Sequence, residues 1–90
     1  MTSVNSSGLI DGAAAMFIAS EAAIKRFDLA PKARIVSSAV VGVEPRIMGI
    51  GPLPASQKAL QKAGLTLAEI AVIEFNEAFA AQCLSVTRNL

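Results

Sequence analysis

The residue of this chain best suited to chemistry is a carboxamide set between an apolar stretch and an alanine-rich one. In the run Ile73-Glu74-Phe75-Asn76-Glu77-Ala78-Phe79-Ala80-Ala81-Gln82, a short apolar segment stops at an Asn-Glu pair and passes into small and apolar residues. The pattern predicts a buried strand over 71–75 and a helix from 78 to about 90. Asn76 would then stand at the C-terminal end of a strand and the N-terminal end of a helix, where open α/β sheets bind ligands. Its side chain both donates and accepts, so it can hold a water or polarise a carbonyl. A competing reading is structural: asparagine is a preferred helix N-cap, and on residue type alone that reading is the stronger. Glu77 suits the first helical turn electrostatically.

Little else in the chain is equipped for catalysis. There is no histidine and a single cysteine, Cys83, which falls inside the predicted last helix. Among Ala80, Ala81, Leu84 and Val86 it reads as an inert core thiol with a raised pKa. No metal site can be assembled from such a donor set. Gly49-Ile50-Gly51-Pro52 superficially resembles a glycine-rich phosphate loop. Pro52 removes a backbone donor and the third glycine is missing, so a plain functional or structural loop is the better reading. Met48 can plug an apolar gap, and Ser7 can simply make a turn.

The elements that must position these residues follow from the pattern upstream. Asn5-Ser6-Ser7-Gly8 and Asp11-Gly12 are turn chemistry. The apolar run 13–19 predicts a strand, and Ser20 caps a helix over 21 to about 27, with Ile24 and Phe27 on one face and Pro31 ending it. The β-branched run 34–41 predicts a strand buried on both faces. A loop over 42–54 carries three glycines and three prolines. A helix over 55–63 stops at Gly64, and Thr66-Leu67-Ala68-Glu69 is a capping box for one further turn. Phe79, Cys83, Val86 and Leu90 share a face of the last helix. The order after Pro31 is strand, helix, strand, helix, an α/β unit whose crossover makes the two strands a parallel pair, in an incomplete sheet.

Composition narrows the class further. Ninety residues make at most one small domain, and 53% hydrophobic content is high for that length. Such a chain buries only roughly 60% of its unfolded surface, so its apolar excess calls for cover. A net charge of +1, with four phenylalanines, no tryptophan and no tyrosine, offers neither a basic patch nor a stacking platform for nucleic acid. No apolar run approaches the roughly 20 residues that span a bilayer. The lone cysteine and the absence of a signal-peptide pattern fit a cytoplasmic setting.

Three segments together resemble the thiolases, the acetyl-CoA acetyltransferases and 3-ketoacyl-CoA thiolases. They are Asn5-Ser6-Ser7-Gly8-Leu9-Ile10-Asp11-Gly12-Ala13-Ala14-Ala15, Met48-Gly49-Ile50-Gly51-Pro52, and Asn76-Glu77-Ala78-Phe79-Ala80-Ala81-Gln82. The resemblance implies part of a duplicated five-layered α-β-α-β-α fold, with 1–30 ending the N-terminal half and 31–90 beginning the C-terminal half. It implies Claisen condensation of acyl-CoA thioesters, or thiolysis of a 3-ketoacyl-CoA, through an acylated cysteine. It matches Asn76 to the oxyanion-hole asparagine, Ser7 to a serine near the pantetheine arm of CoA, and Met48 and Phe79 to apolar residues of the acyl and pantetheine pocket. Coenzyme A thioesters are then substrates, no cofactor is held permanently, and the parent enzyme is a homo-oligomer, dimer or tetramer. The family's nucleophilic cysteine, its histidine and its acid/base cysteine have no match here. The 90 residues alone are therefore expected to be inactive. The alternative is a freestanding CoA-binding or subunit-interaction module without catalysis.

Overall fold

The computed structural model describes residues 1–90. Three α-helices form: α1 (Glu21–Phe27), α2 (Pro52–Ala63) and α3 (Ala80–Thr87), with 3-10 turns at Pro45–Ile50 and Leu67–Glu69. Local sequence chemistry accounts for their ends. Ser20 Oγ accepts from the Ala23 N–H at 3.2 Å and caps α1. Gly64, at φ 67°, closes α2 with its N–H on the Gln61 and Leu60 carbonyls, a left-handed position that glycine fills without steric cost. In the capping box, the Glu69 carboxylate accepts from the Thr66 N–H at 2.7 Å and from its hydroxyl at 2.8 Å. These bonds hold the Glu69 carboxyl below the ordinary range, the backbone donor contributing most.

Several expectations are corrected. α1 ends before Pro31 has any influence, because Asp28 adopts φ 49° and donates its N–H to the Ile24 carbonyl. The 42–54 loop is largely helical: a 3-10 turn starts at Pro45 and α2 starts at Pro52. Prolines are tolerated there because the first turn of a helix has no partner for its N–H groups. α3 begins at Ala80, two residues later than predicted, and its N-cap is Phe79.

The predicted strands do not pair, so the parallel pair is not formed. All but two of the 35 backbone hydrogen bonds are helical or local, and none joins 34–41 to 71–75. A strand is defined by its neighbour, and neither segment has one among these residues. The first remains extended in character. Ser37, Ala39, Val41 and Val43 are half-buried while Val36, Ser38, Val40 and Gly42 are exposed, a two-residue alternation with one covered face rather than two. That segment is tied to α2 by side-chain bonds. Ser37 Oγ donates to the Ala59 carbonyl at 2.8 Å, Lys58 Nζ to Val40 at 3.2 Å and Lys62 Nζ to Ser38 at 3.0 Å. Between α2 and the two extended segments runs a groove of about 610 Å³ with Ile35, Leu60, Val72 and Leu90 in its walls. Residues 13–19 are exposed and irregular.

The chain is accordingly open. It exposes 8015 Å², where a compact protein of 9.3 kDa exposes about 5,000 Å². Its radius of gyration is 16.6 Å, against about 12 Å for a compact domain of this length. Val86 on α3 is the one fully buried side chain, flanked on its face by half-buried Phe79, Cys83 and Leu90. No helix is long and apolar enough to cross a membrane.

Candidate functional site

The N-terminal end of α3 is where the chemistry-bearing segments meet. Ser6 and Phe79 form an antiparallel bridge. The Ser7 N–H donates to the Ala78 carbonyl at 2.9 Å, and the Ala80 N–H donates to the Asn5 carbonyl at 3.0 Å. Bonds on both sides of Phe79 hold it extended, at φ −141° and ψ 134°, which is why the helix starts late. Ser6 and Phe79 are the close pair of this bridge, and Ser7 points to the opposite face by strand alternation. Ser6 Oγ is itself committed, donating to the Thr2 carbonyl at 2.7 Å.

The Met48 segment reaches the same helix from another side. α3 packs on the 3-10 turn Pro45–Ile50, and a Cβ placed on Gly49 would lie 3.7 Å from Gln82 Cγ. Gly51 is held more tightly. A Cβ there would stand 3.2 Å from the Met48 carbonyl oxygen, and the Gly51 N–H already donates to that carbonyl at 3.1 Å. Met48 itself is 72% exposed, so its side chain is free to meet a ligand.

Asn76 lies in the turn that enters this site. Its carbonyl accepts from the Ala78 N–H at 2.9 Å, and its side chain is exposed. It caps nothing: the α3 N-cap is Phe79, which has no side-chain acceptor. The helix-cap reading of Asn76 is thereby corrected, and its carboxamide is left uncommitted. A phenylalanine at an N-cap breaks the local preference for Ser, Thr, Asp or Asn, a departure of the kind found at functional sites.

Between the Asn5–Ser7 segment and α3 lies a cleft of about 580 Å³, walled by Asn5, Ser6, Ser7, Glu77 and Cys83. The Cys83 thiol, half-buried rather than sealed in a core, donates to Glu77 Oε1 at 3.5 Å. Its pKa is raised, by burial first and then by the hydrogen bond and charge of Glu77. That keeps it a poor nucleophile. The motif resemblance pointed to Ser7, Met48, Asn76 and Phe79. It missed Ser6, Glu77 and Gln82 as neighbours, although Gln82 falls one helical turn from Phe79 and that spacing could have revealed it.

The thiolase C-terminal domain family matches residues 29–90. The 3-oxoadipyl-CoA/3-oxo-5,6-dehydrosuberyl-CoA thiolase of Escherichia coli (strain K12) is 54% identical over all 90 residues, which cover 22% of that relative. The 3-ketoacyl-CoA thiolase of Photorhabdus laumondii is 57% identical over the same 90 residues, 23% of its length. The chain thus spans about a fifth of the curated relatives it matches. Among solved structures, human mitochondrial 3-ketoacyl-CoA thiolase superposes with a TM-score of 0.76 at 54% identity, over 78% of this chain and 18% of that one. The same holds for that enzyme in complex with CoA. With the family's C-terminal domain matched across 29–90 and such identity along its full length, the chain belongs to the thiolase family.

Proposed function

We propose that these residues form part of a CoA-dependent acyltransferase that condenses acyl-CoA thioesters or cleaves 3-ketoacyl-CoA by thiolysis. The observation that carries this reading is the convergence of three separate segments on the start of α3. Asn5–Ser7 arrives through the bridge to Phe79, and the Met48 segment through the packing of the 3-10 turn Pro45–Ile50 on α3. In this reading residues 1–30 end the N-terminal half of the enzyme and 31–90 begin the C-terminal half, and the span of the family match supports that division. The open apolar surface is covered by the rest of a homo-oligomeric parent.

Each site residue has a role that follows from its chemistry. Asn76 holds a water against the oxygen of the thioester enolate. A preorganised donor there stabilises charge that develops only in the transition state, worth about 3 kcal/mol. Ser7 lies along the pantetheine arm of CoA, and Met48 and Phe79 supply apolar walls for the arm and acyl chain. Acyl transfer runs through a cysteine elsewhere in the parent enzyme. The 90 residues alone have no histidine and only the unreactive Cys83, so by themselves they do not turn over.

The test is a hybrid enzyme in which this chain replaces its 90-residue counterpart in the Photorhabdus laumondii relative. The hybrid cleaves acetoacetyl-CoA in the presence of CoA. Asn76→Asp places a carboxylate where the enolate develops, and the rate falls by about 10²-fold or more while the melting temperature barely changes. A rate within about threefold of the unsubstituted hybrid, roughly 0.7 kcal/mol on the barrier, removes the role given to Asn76.

A further inference from the structure

We propose that Lys58 and Lys62 guard one edge of the extended segment 34–41 against pairing with a strand of a second copy of this chain. Lys58 Nζ donates to the Val40 carbonyl at 3.2 Å and Lys62 Nζ to the Ser38 carbonyl at 3.0 Å. In an extended backbone the N–H and C=O of one residue point to one edge and those of its neighbour to the other. Residues 38 and 40 therefore present their polar groups on the same edge, and both ammonium groups sit on it. The spacing suits this arrangement. Four residues of a helix rise about 6.0 Å and two residues of an extended segment advance about 6.6 Å. Lysines one helical turn apart thus meet successive acceptors of one edge, with α2 running antiparallel to the segment.

A strand added on this edge needs the same two carbonyls as its acceptors. It displaces both ammonium groups from their bonds and leaves their charge beside the new ladder. If the added strand is the same segment of a second copy, each copy brings two lysines to the seam and four like charges meet. Lys58, Lys62, Ser38 and Val40 are all exposed, so this edge meets other molecules directly. Each lysine stands two residues from Leu60, on roughly the opposite side of the helix, and Leu60 lines the groove. The ammonium groups thus act outside the groove.

The test follows cross-β assembly of the 90-residue chain by thioflavin T fluorescence at equal protein concentrations. Lys58→Met combined with Lys62→Met keeps the long stems and the helix propensity and removes both donors. The signal then appears about tenfold sooner than for the unsubstituted chain, with helical circular dichroism unchanged. Lys25→Met combined with Lys32→Met makes the same change of charge at two other exposed lysines, and the onset stays within about twofold of the unsubstituted chain. Lys58→Arg combined with Lys62→Arg keeps cationic donors and the slow onset. Val40→Pro, added to the first Met pair, removes an N–H of the guarded edge and restores the slow onset. The inference is overturned if the Lys58 and Lys62 Met pair assembles no sooner than the unsubstituted chain, or if the Lys25 and Lys32 pair is accelerated as much. It is equally overturned if the Arg pair is as fast as the Met pair, or if Val40→Pro leaves the onset fast. Should the Met pair lose helical signal, Lys58→Met and Lys62→Met are measured singly, each advancing the onset by about threefold. No advance in either overturns the inference as well.

Discussion

Ser6 and Phe79, 73 positions apart in the numbering, face each other across an antiparallel bridge at the mouth of α3. The two backbone bonds flanking them are the only long-range ones in the chain. One bridge therefore fixes the register between the Asn5–Ser7 segment and the Asn76–Phe79 turn. It also sets where the helix begins.

That dependence can be isolated with Ala80→Pro. Ala80 is the first residue of α3, where proline is ordinarily favoured because the N–H there has no helical partner. The extended backbone of Phe79 also suits a residue before proline. Here, however, the Ala80 N–H donates to Asn5. The substitution keeps the helix and removes one bridge bond, worth about 1 kcal/mol. In the hybrid enzyme KM for CoA rises by about fivefold, with helical circular dichroism intact. An unchanged KM would show that the bridge does not organise the site.

The surface of the 90-residue chain carries its own expectation. Leu9, Ile10, Phe17, Val40 and Val72 are all largely exposed, and the unpaired edges of 34–41 offer free backbone donors and acceptors. Purified alone, the chain self-associates and binds hydrophobic dyes. Analytical ultracentrifugation showing a monodisperse monomer, together with a cooperative melt, would contradict this.

What was legible in the sequence divides by distance along the chain. Ser20, Gly64 and the Thr66–Glu69 box act on partners within four residues, so their chemistry can be read from neighbours. The strands could not be confirmed the same way. A β-branched run such as 34–41 states a preference, but its ladder partner is non-local. The segment is tied to α2 instead, through Ser37, Lys58 and Lys62. At the site, motif resemblance brought Ser7, Met48, Asn76 and Phe79 into view. The late start of α3 was hidden, because it depends on hydrogen bonds from Asn5 and Ser7 at the far end of the chain.

The capping box gives a pH dependence with a definite sign. The Glu69 carboxyl is held below its ordinary value by the Thr66 backbone and hydroxyl donors. A carboxylate whose folded pKa is depressed stabilises the turn above its unfolded pKa, and that contribution is lost as pH falls through the folded value. Carbon NMR titration of Glu69 in the 90-residue chain therefore shows it ionising below the ordinary glutamate value. Thr66→Val, which removes one of the two donors, moves the midpoint up toward that ordinary value. An unmoved midpoint would mean that the hydroxyl bond contributes nothing to the turn.

Phe79 separates helix stability from activity most sharply. As the N-cap of α3 it leaves that position without a side-chain acceptor, so Phe79→Asn supplies the missing cap. In a peptide spanning 74–90, which has no bridge and no pocket, the Asn variant is the more helical, by about 1 kcal/mol. In the hybrid enzyme the same change removes a half-buried ring from the apolar wall proposed for the pantetheine arm and acyl chain. There kcat/KM falls by about tenfold or more, a loss carried mainly by KM if the ring contributes uniform binding. The two measurements move in opposite directions only if the phenylalanine is kept for the ligand at the expense of the helix. Activity within about twofold of the unsubstituted hybrid, alongside greater helicity in the peptide, would reduce Phe79 to a packing residue with a poor cap.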